Sequence, residues 1–263
     1  MASDVKKRGG FAPGPLSSQD RALINPAREP GEAPVSPRVI LTFTRPDYQN
    51  LCRLSQATGH PRYLWDCALR EGSWEGKSLT VTGPALGAPC AAMVLEKLIA
   101  LGARVVLALG WCGSLQRNIK VGSLVVPTAA VSGDGTSRHY LPDNIQPAPH
   151  PGLCGLLLSN LQSGAVPWYA GPIWTTDAFY RETGEQVRHY QGQGVLGVDL
   201  ELAALLAVGL YRQVAVAGLL VVSDELADLT WRPGFSSPAC RRGRREAARI
   251  VLAAAAAAEE MDS

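Results

Sequence analysis

Two short stretches place acids where apolar runs end. Asp199-Leu200-Glu201 closes a run that begins at Val195 and passes straight into an alanine- and leucine-rich segment. Ser223-Asp224-Glu225 closes the apolar run over 214–222. A buried acid is costly unless it is paired or hydrogen-bonded. The carboxyl ends of strands in an open α/β sheet, by contrast, border the crevice where ligands bind. Glu201 and Asp224 are therefore candidate site residues. Asp199 and Glu201 equally suit a helix start, where acids satisfy free amides. A third run ends in Leu109-Gly110-Trp111-Cys112-Gly113-Ser114, whose glycines would let a ligand or anion approach backbone amides, or simply make a tight turn. A fourth stretch, Trp174-Thr175-Thr176-Asp177-Ala178-Phe179-Tyr180, puts aromatic rings just before the Glu201 strand. They could stack on a flat ligand or pack in a core.

The elements that must hold these residues read as an alternation of strands and helices. Strands are expected over 39–44, 65–69, 78–82, 105–109, 124–127, 129–131, 167–173, 195–200 and 214–222. Glu71-Gly72-Ser73 reads as a turn between the second and third. Helices are expected over 46–58, 90–101, 151–162, 184–192, 201–211 and 238–260. In the second helix Ala92, Val94, Leu95, Leu98 and Ile99 share one face. The fully apolar run 105–109 calls for a central strand covered on both faces. The fold class is α/β, a three-layer sandwich with a central mixed β-sheet flanked by helices. Residues 1–37, rich in Pro, Gly and Ser, read as a flexible arm. Residues 38–263 read as one domain.

Composition narrows the partners. The 263 residues are 46% hydrophobic and 18% charged, with a net charge of +2. That supports a large core and no broad basic field for nucleic acid. Arg241, Arg242, Arg244 and Arg245 read as a solvated helix face. The six cysteines form no CxxC pair and the four histidines lack metal-ligand spacing. The expectation is a reduced, cytoplasmic protein without metal or disulfide frame. Residues 1–10 lack the apolar core of a signal peptide, and no apolar run reaches membrane-span length.

A family resemblance rests on an ordered set of motifs. They are Gly83-Pro84-Ala85-Leu86-Gly87-Ala88-Pro89, Gly110-Trp111-Cys112-Gly113-Ser114, Ile119-Lys120-Val121-Gly122 with Val126-Pro127, and Asp134 through Pro142. Thr176 through Tyr180, Val198-Asp199-Leu200-Glu201 with Ala203-Ala204, and Val222-Ser223-Asp224 complete it. From about Arg38 onward the chain resembles the nucleoside phosphorylase superfamily of purine nucleoside phosphorylases, uridine phosphorylases and methylthioadenosine nucleosidases. The resemblance implies cleavage of the N-glycosidic bond of a ribonucleoside, with a purine favoured. It implies Glu201 on the ribose hydroxyls, Leu200 and Leu86 against the sugar, Phe179 and Tyr180 at the base, and Asp224 near N7, positioned by Ser223. It also implies a homo-oligomer, dimer or hexamer, and no cofactor beyond inorganic phosphate as co-substrate.

The departures lie on the nucleophile side. The family's phosphorylases carry a Gly-Asp-Pro-x-Arg loop where this chain has Phe43-Thr44-Arg45-Pro46-Asp47. They carry an arginine and a serine or threonine where it has Ala108 and Trp111. Phosphate, a dianion, wants several such donors. The expectation is phosphorolysis at an atypical phosphate site around Gly110, Trp111, Thr44 and Arg45, with the Arg138-His139 loop as another stand-in. The alternatives are hydrolysis with Asp47 orienting water, and nucleoside binding without catalysis behind a blocking Trp111.

Overall fold

The computed structural model describes residues 22–162 and 166–258. Most of the expected arm, residues 1–21, lies outside them, as do 259–263. The elements in chain order are β1 (Arg38–Thr42), α1 (Arg45–Leu54), β2 (Arg62–Leu64), β3 (Cys67–Trp74), β4 (Lys77–Gly83) and α2 (Ala88–Ala100). They continue with β5 (Val105–Ser114), β6 (Leu124–Gly133), α3 (Pro151–Leu161), β7 (Trp168–Thr176), α4 (Gly184–Gly192) and β8 (Gly197–Asp199). The last are α5 (Leu202–Arg212), β9 (Ala215–Glu225), β10 (Arg232–Pro233) and α6 (Pro238–Ala257).

The strands form one mixed sheet in the order β10-β9-β6-β7-β8-β5-β1-β4-β3-β2. An additional β5–β9 pairing closes one end of the sheet on itself. β1, β4, β5 and β9 run parallel, while β8 runs antiparallel against the end of β5. The apolar run of β5 alternates its faces. Val106 and Ala108 join the core under α2 and α5, whereas Val105, Leu107 and Leu109 join the core under α1, α3 and α6. β9 divides its side chains in the same way. Both faces of the central strands are covered by helices, which is why these runs lack polar alternation.

Several boundaries differ from the expectation, each for a local reason. Glu71-Gly72-Ser73 is not a turn; it lies inside β3. A Cβ on Gly72 would come 2.7 Å from the Ser55 carbonyl, so glycine is needed there for close approach to the end of α1. The turn falls instead at Glu75-Gly76, both with positive φ. The two expected strands over 124–131 are one strand, β6, with a register irregularity between Pro127 and Ala130. β5 and β9 run on past their apolar stretches into the polar ends at Ser114 and Glu225. β2 and β10 are too short to carry a pattern.

Residues 22–37 contain neither helix nor strand, yet the later part is tied to the domain. The Val35 amide donates to the Leu101 carbonyl, and the Ser36 amide to Thr80 Oγ1. Lys97 Nζ reaches the Ala27 carbonyl and the Glu32 carboxylate. Among the described residues no helix is long and apolar enough to cross a membrane.

Candidate active site

The carboxyl ends of β1, β4, β5 and β9 converge on a cavity of about 290 Å³. Phe43 and Thr44 enter it after β1, Leu86 after β4, and Trp111, Cys112 and Gly113 from the end of β5. Phe179 and Glu182 follow β7, Val198 to Glu201 come from β8 and the start of α5, Ser223 and Asp224 from the end of β9, and Phe235 follows β10. Of the expected site residues, Glu201, Leu200, Leu86, Phe179, Ser223, Asp224, Trp111 and Thr44 line this cavity. Tyr180, Gly110, Arg45 and Asp47 do not.

The two acids beside Leu200 have separate tasks. Asp199 caps α5: its Oδ2 accepts the Leu202 amide at 2.7 Å and the Glu201 amide at 3.2 Å. Its Oδ1 accepts the Thr175 hydroxyl, which in turn accepts the Ala203 amide at 2.9 Å. Glu201 makes no capping bond with its side chain. Its Oε1 accepts the Gly87 amide at 2.8 Å, which fixes the carboxyl against the loop before α2. Burial, and then the neighbouring Asp199 charge, push the Glu201 carboxyl up to about 8. Burial pushes Asp199 up to about 6, against the pull of its hydrogen bonds.

Asp224 is buried at the end of β9. Ser223 Oγ donates to its Oδ1 at 2.6 Å and Trp231 Nε1 to its Oδ2 at 2.9 Å. Burial raises its carboxyl above the ordinary range, while these two donors pull it back. Trp231 carries no sequence signal that would have singled it out; it reaches Asp224 from the loop between β9 and β10. Glu182 was also missed. Burial, and then the charge of Asp224, push its carboxyl up to about 7.

The aromatic stretch splits. Trp174 belongs to the core, stacked on Tyr190 at 4.5 Å between ring centres. Phe179 faces the cavity. Tyr180 is 92% exposed and meets only the edge of Phe179, at 5.1 Å. Rings continue from Phe179 to Trp231 at 6.0 Å, to Phe235 at 6.3 Å, and to Trp111 at 5.9 Å. This line joins Phe179 at one side of the cavity to Trp111 at another.

The nucleophile side departs most from expectation. Gly110 is not open to a ligand: a Cβ there would stand 2.3 Å from the Phe43 ring, so the glycine makes room for that ring. Arg45 is exposed outside the cavity. Asp47 is 1% exposed and fully engaged, by Thr44 Oγ1 at 2.7 Å, Trp111 Nε1 at 2.7 Å and Arg244 Nε at 2.8 Å. Arg244 is therefore no solvated residue. It leaves the basic face of α6 to pair with Asp47, and its guanidinium lies 5.0 Å from the Trp111 ring centre. Arg138 lines a separate cavity of about 570 Å³ bounded by residues 130–147. Among the described lining residues of the first cavity four are acids and none is Arg, Lys or His. No cluster of His, Cys, Asp and Glu among the described residues is arranged to hold a metal ion.

A family model described as the phosphorylase superfamily matches residues 37–256. The chain belongs to the phosphorylase superfamily. A guanosine phosphorylase of Halorubrum lacusprofundi is 29% identical over 154 residues, which are 59% of this chain and 64% of that protein. A DeoD-type purine nucleoside phosphorylase of Bacillus cereus is 27% identical over 157 residues, 59% of this chain and 67% of that protein. The chain thus spans about two thirds of the length of these relatives. Among solved structures, uridine phosphorylase from Vibrio fischeri in complex with 6-hydroxy-1-naphthoic acid aligns with a TM-score of 0.75 at 25% identity, over 84% of this chain and 91% of that one. Purine nucleoside phosphorylase from Toxoplasma gondii in complex with immucillin-H aligns at 0.79 and 21% identity, over 90% of this chain and 98% of that one. The superfamily's mixed sheet is therefore retained here, with Trp111 in one wall of the cavity and the Asp47–Arg244 pair behind it.

Proposed function

We propose that this chain cleaves the N-glycosidic bond of a purine ribonucleoside, by phosphorolysis at an atypical phosphate site. One observation carries the reading: Glu201 and Asp224 reach the same cavity from the ends of different strands, and Phe179 lines it with them. The relatives named as phosphorylases support it. In this reading the ribose hydroxyls donate to Glu201, Leu200 and Leu86 lie against the sugar, and the base lies on Phe179. The bond from C1′ to the base nitrogen breaks with its electron pair going to the base. Asp224, protonated, gives its proton to N7 as negative charge develops there, with Ser223 holding the carboxyl in place. A phosphate oxygen then bonds to C1′ from the opposite face and yields ribose 1-phosphate. Catalysis comes from contacts that strengthen as the sugar becomes positive and the base negative.

Hydrolysis is the second reading, and the cavity wall favours it in one respect. A phosphate dianion meets no cation among the described lining residues, and Arg244 is already paired with Asp47. A neutral water has no such need. Asp47, the acid expected to orient that water, does not line the cavity and already accepts from Trp111 and Arg244. The test is release of free base from a purine nucleoside panel with and without phosphate. Release only with phosphate supports phosphorolysis. Release without it supports hydrolysis. Binding with no release in either condition overturns both.

A further inference from the structure

Glu182 lines the cavity together with Asp224. It follows the single helical turn Phe179–Arg181, and its carboxyl has no hydrogen-bond or ion-pair partner among the described residues. Asp224, by contrast, has a donor on each oxygen. Glu182 is close enough to feel the charge of Asp224. Two carboxyls that line one cavity do not both ionise cheaply, and like-charge repulsion favours the state in which one of them keeps its proton. Whichever oxygen carries that proton, the pair presents one donor and one acceptor.

The purine edge that carries N7 also carries the substituent at position 6. A 6-aminopurine shows an acceptor and a donor there; a 6-oxopurine shows two acceptors. One donor and one acceptor complement the first. The second would set its oxygen against a carboxylate or require both acids to be protonated. The Phe179 ring, packed edge-on against Tyr180 and Trp231, supplies a surface to hold the base in one plane. We infer that Glu182 and Asp224 together read this edge of the base, and that Glu182 selects a 6-aminopurine nucleoside over a 6-oxopurine one. The inference rests on the reading of the cavity as a nucleoside site.

The experiment compares base release from adenosine, inosine and guanosine by the wild-type chain, Glu182→Gln and Glu182→Ala. Glu182 lies on a loop, and folding of each variant is checked by circular dichroism. The wild type should favour adenosine in kcat/KM by at least about tenfold, the size expected when a buried polar group is left mismatched. Glutamine can donate through its amide, so Glu182→Gln should bring the ratio near one, mainly by raising turnover of inosine. Glu182→Ala should lower adenosine turnover without that rise. A wild type that favours inosine, or an unchanged ratio in Glu182→Gln, overturns the inference. If the wild type releases base from none of the three, the cleavage reading fails on its own. Calorimetric affinities for adenine and hypoxanthine then decide the matter: tighter adenine in the wild type, with the preference lost in Glu182→Gln, supports the assignment, and equal affinities or no binding overturn it.

Discussion

Trp111 Nε1 donates to Asp47 Oδ2 at 2.7 Å, and so couples the wall of the cavity to a buried ion pair. Arg244 completes the group, 2.8 Å from Oδ1 and stacked over the indole. Removing one partner of a buried pair strands the other charge, at a cost of about 3–5 kcal/mol. Asp47→Ala and Arg244→Ala should each lower stability by that order. For a domain of this size the melting temperature falls by about 2–4 °C per kcal/mol. The double variant should lose clearly less than the sum of the singles, because the stranded charge is gone. Additive losses in thermal unfolding would remove the pair as a unit.

Thr175 links the Glu201 strand to the helix that follows. Its hydroxyl donates to Asp199 and accepts from the Ala203 amide, and the residue is fully buried. Thr175→Val keeps the shape and leaves both partners unsatisfied, at about 1–3 kcal/mol for each. Because Asp199 sets the start of α5, Glu201 should also lose its placement. The expected outcome is a lower urea midpoint together with a reduced kcat/KM for nucleoside. Thr175→Ser should restore both. Lost stability with unchanged kcat/KM would separate the clamp from the site.

The two strand-end acids are legible in the sequence because a strand end needs a reason to carry charge. Glu201 and Asp224 stand out against runs of Val and Leu, and the structure brings both to one cavity. Spacing alone suits either Asp199 or Glu201 as the cap of the helix; the resemblance, which asks for an acid only at Glu201, leaves Asp199 the structural one, and Asp199 makes the capping bonds. Glu182 reaches the cavity, and Trp231 reaches Asp224, from loops, where an acid or an aromatic carries no pattern. Arg244 did carry a signal. It stands four residues after Cys240 and three before Ala247, on the buried stripe of α6, but four arginines in five positions read as a polar face. Asp47 looked like an ordinary helix-start acid, and only the tertiary fold shows its partner some 200 residues away (Arg244).

Glu201 should make stability fall as pH rises. The ordinary value of its carboxyl is 4.5, and burial with the Asp199 charge pushes it up to about 8 in the fold. Between those values the unfolded chain gives up the proton more readily, so ionisation favours unfolding. The contribution of Glu201 to stability is fully present below about 4.5 and is lost as pH rises through about 8. Glu201→Gln removes this titration while keeping the side-chain volume. The variant should therefore gain on the wild type as pH rises through that window and then run level above it. Urea unfolding from about pH 5 to about pH 9 measures the difference. Parallel curves would show that Glu201 does not titrate in this range. The same variant should lose most of its nucleoside turnover, because an amide cannot ionise to the carboxylate that would accept from the ribose hydroxyls.

Trp231 should tune the proton on Asp224. Burial raises that carboxyl, and the donors from Ser223 and then Trp231 oppose the rise. Trp231→Phe keeps a ring against Phe179 and Phe235 but deletes the N–H on Oδ2. With one donor gone the charged form is less favoured, so the carboxyl holds its proton to higher pH. If Asp224 must be protonated to meet N7, the alkaline limb of kcat/KM moves up in Trp231→Phe. Ser223→Ala should move it in the same direction, because it removes the donor on Oδ1. Initial rates of base release across the alkaline range read the limb directly. A limb that stays in place in both variants would assign it to a group other than Asp224.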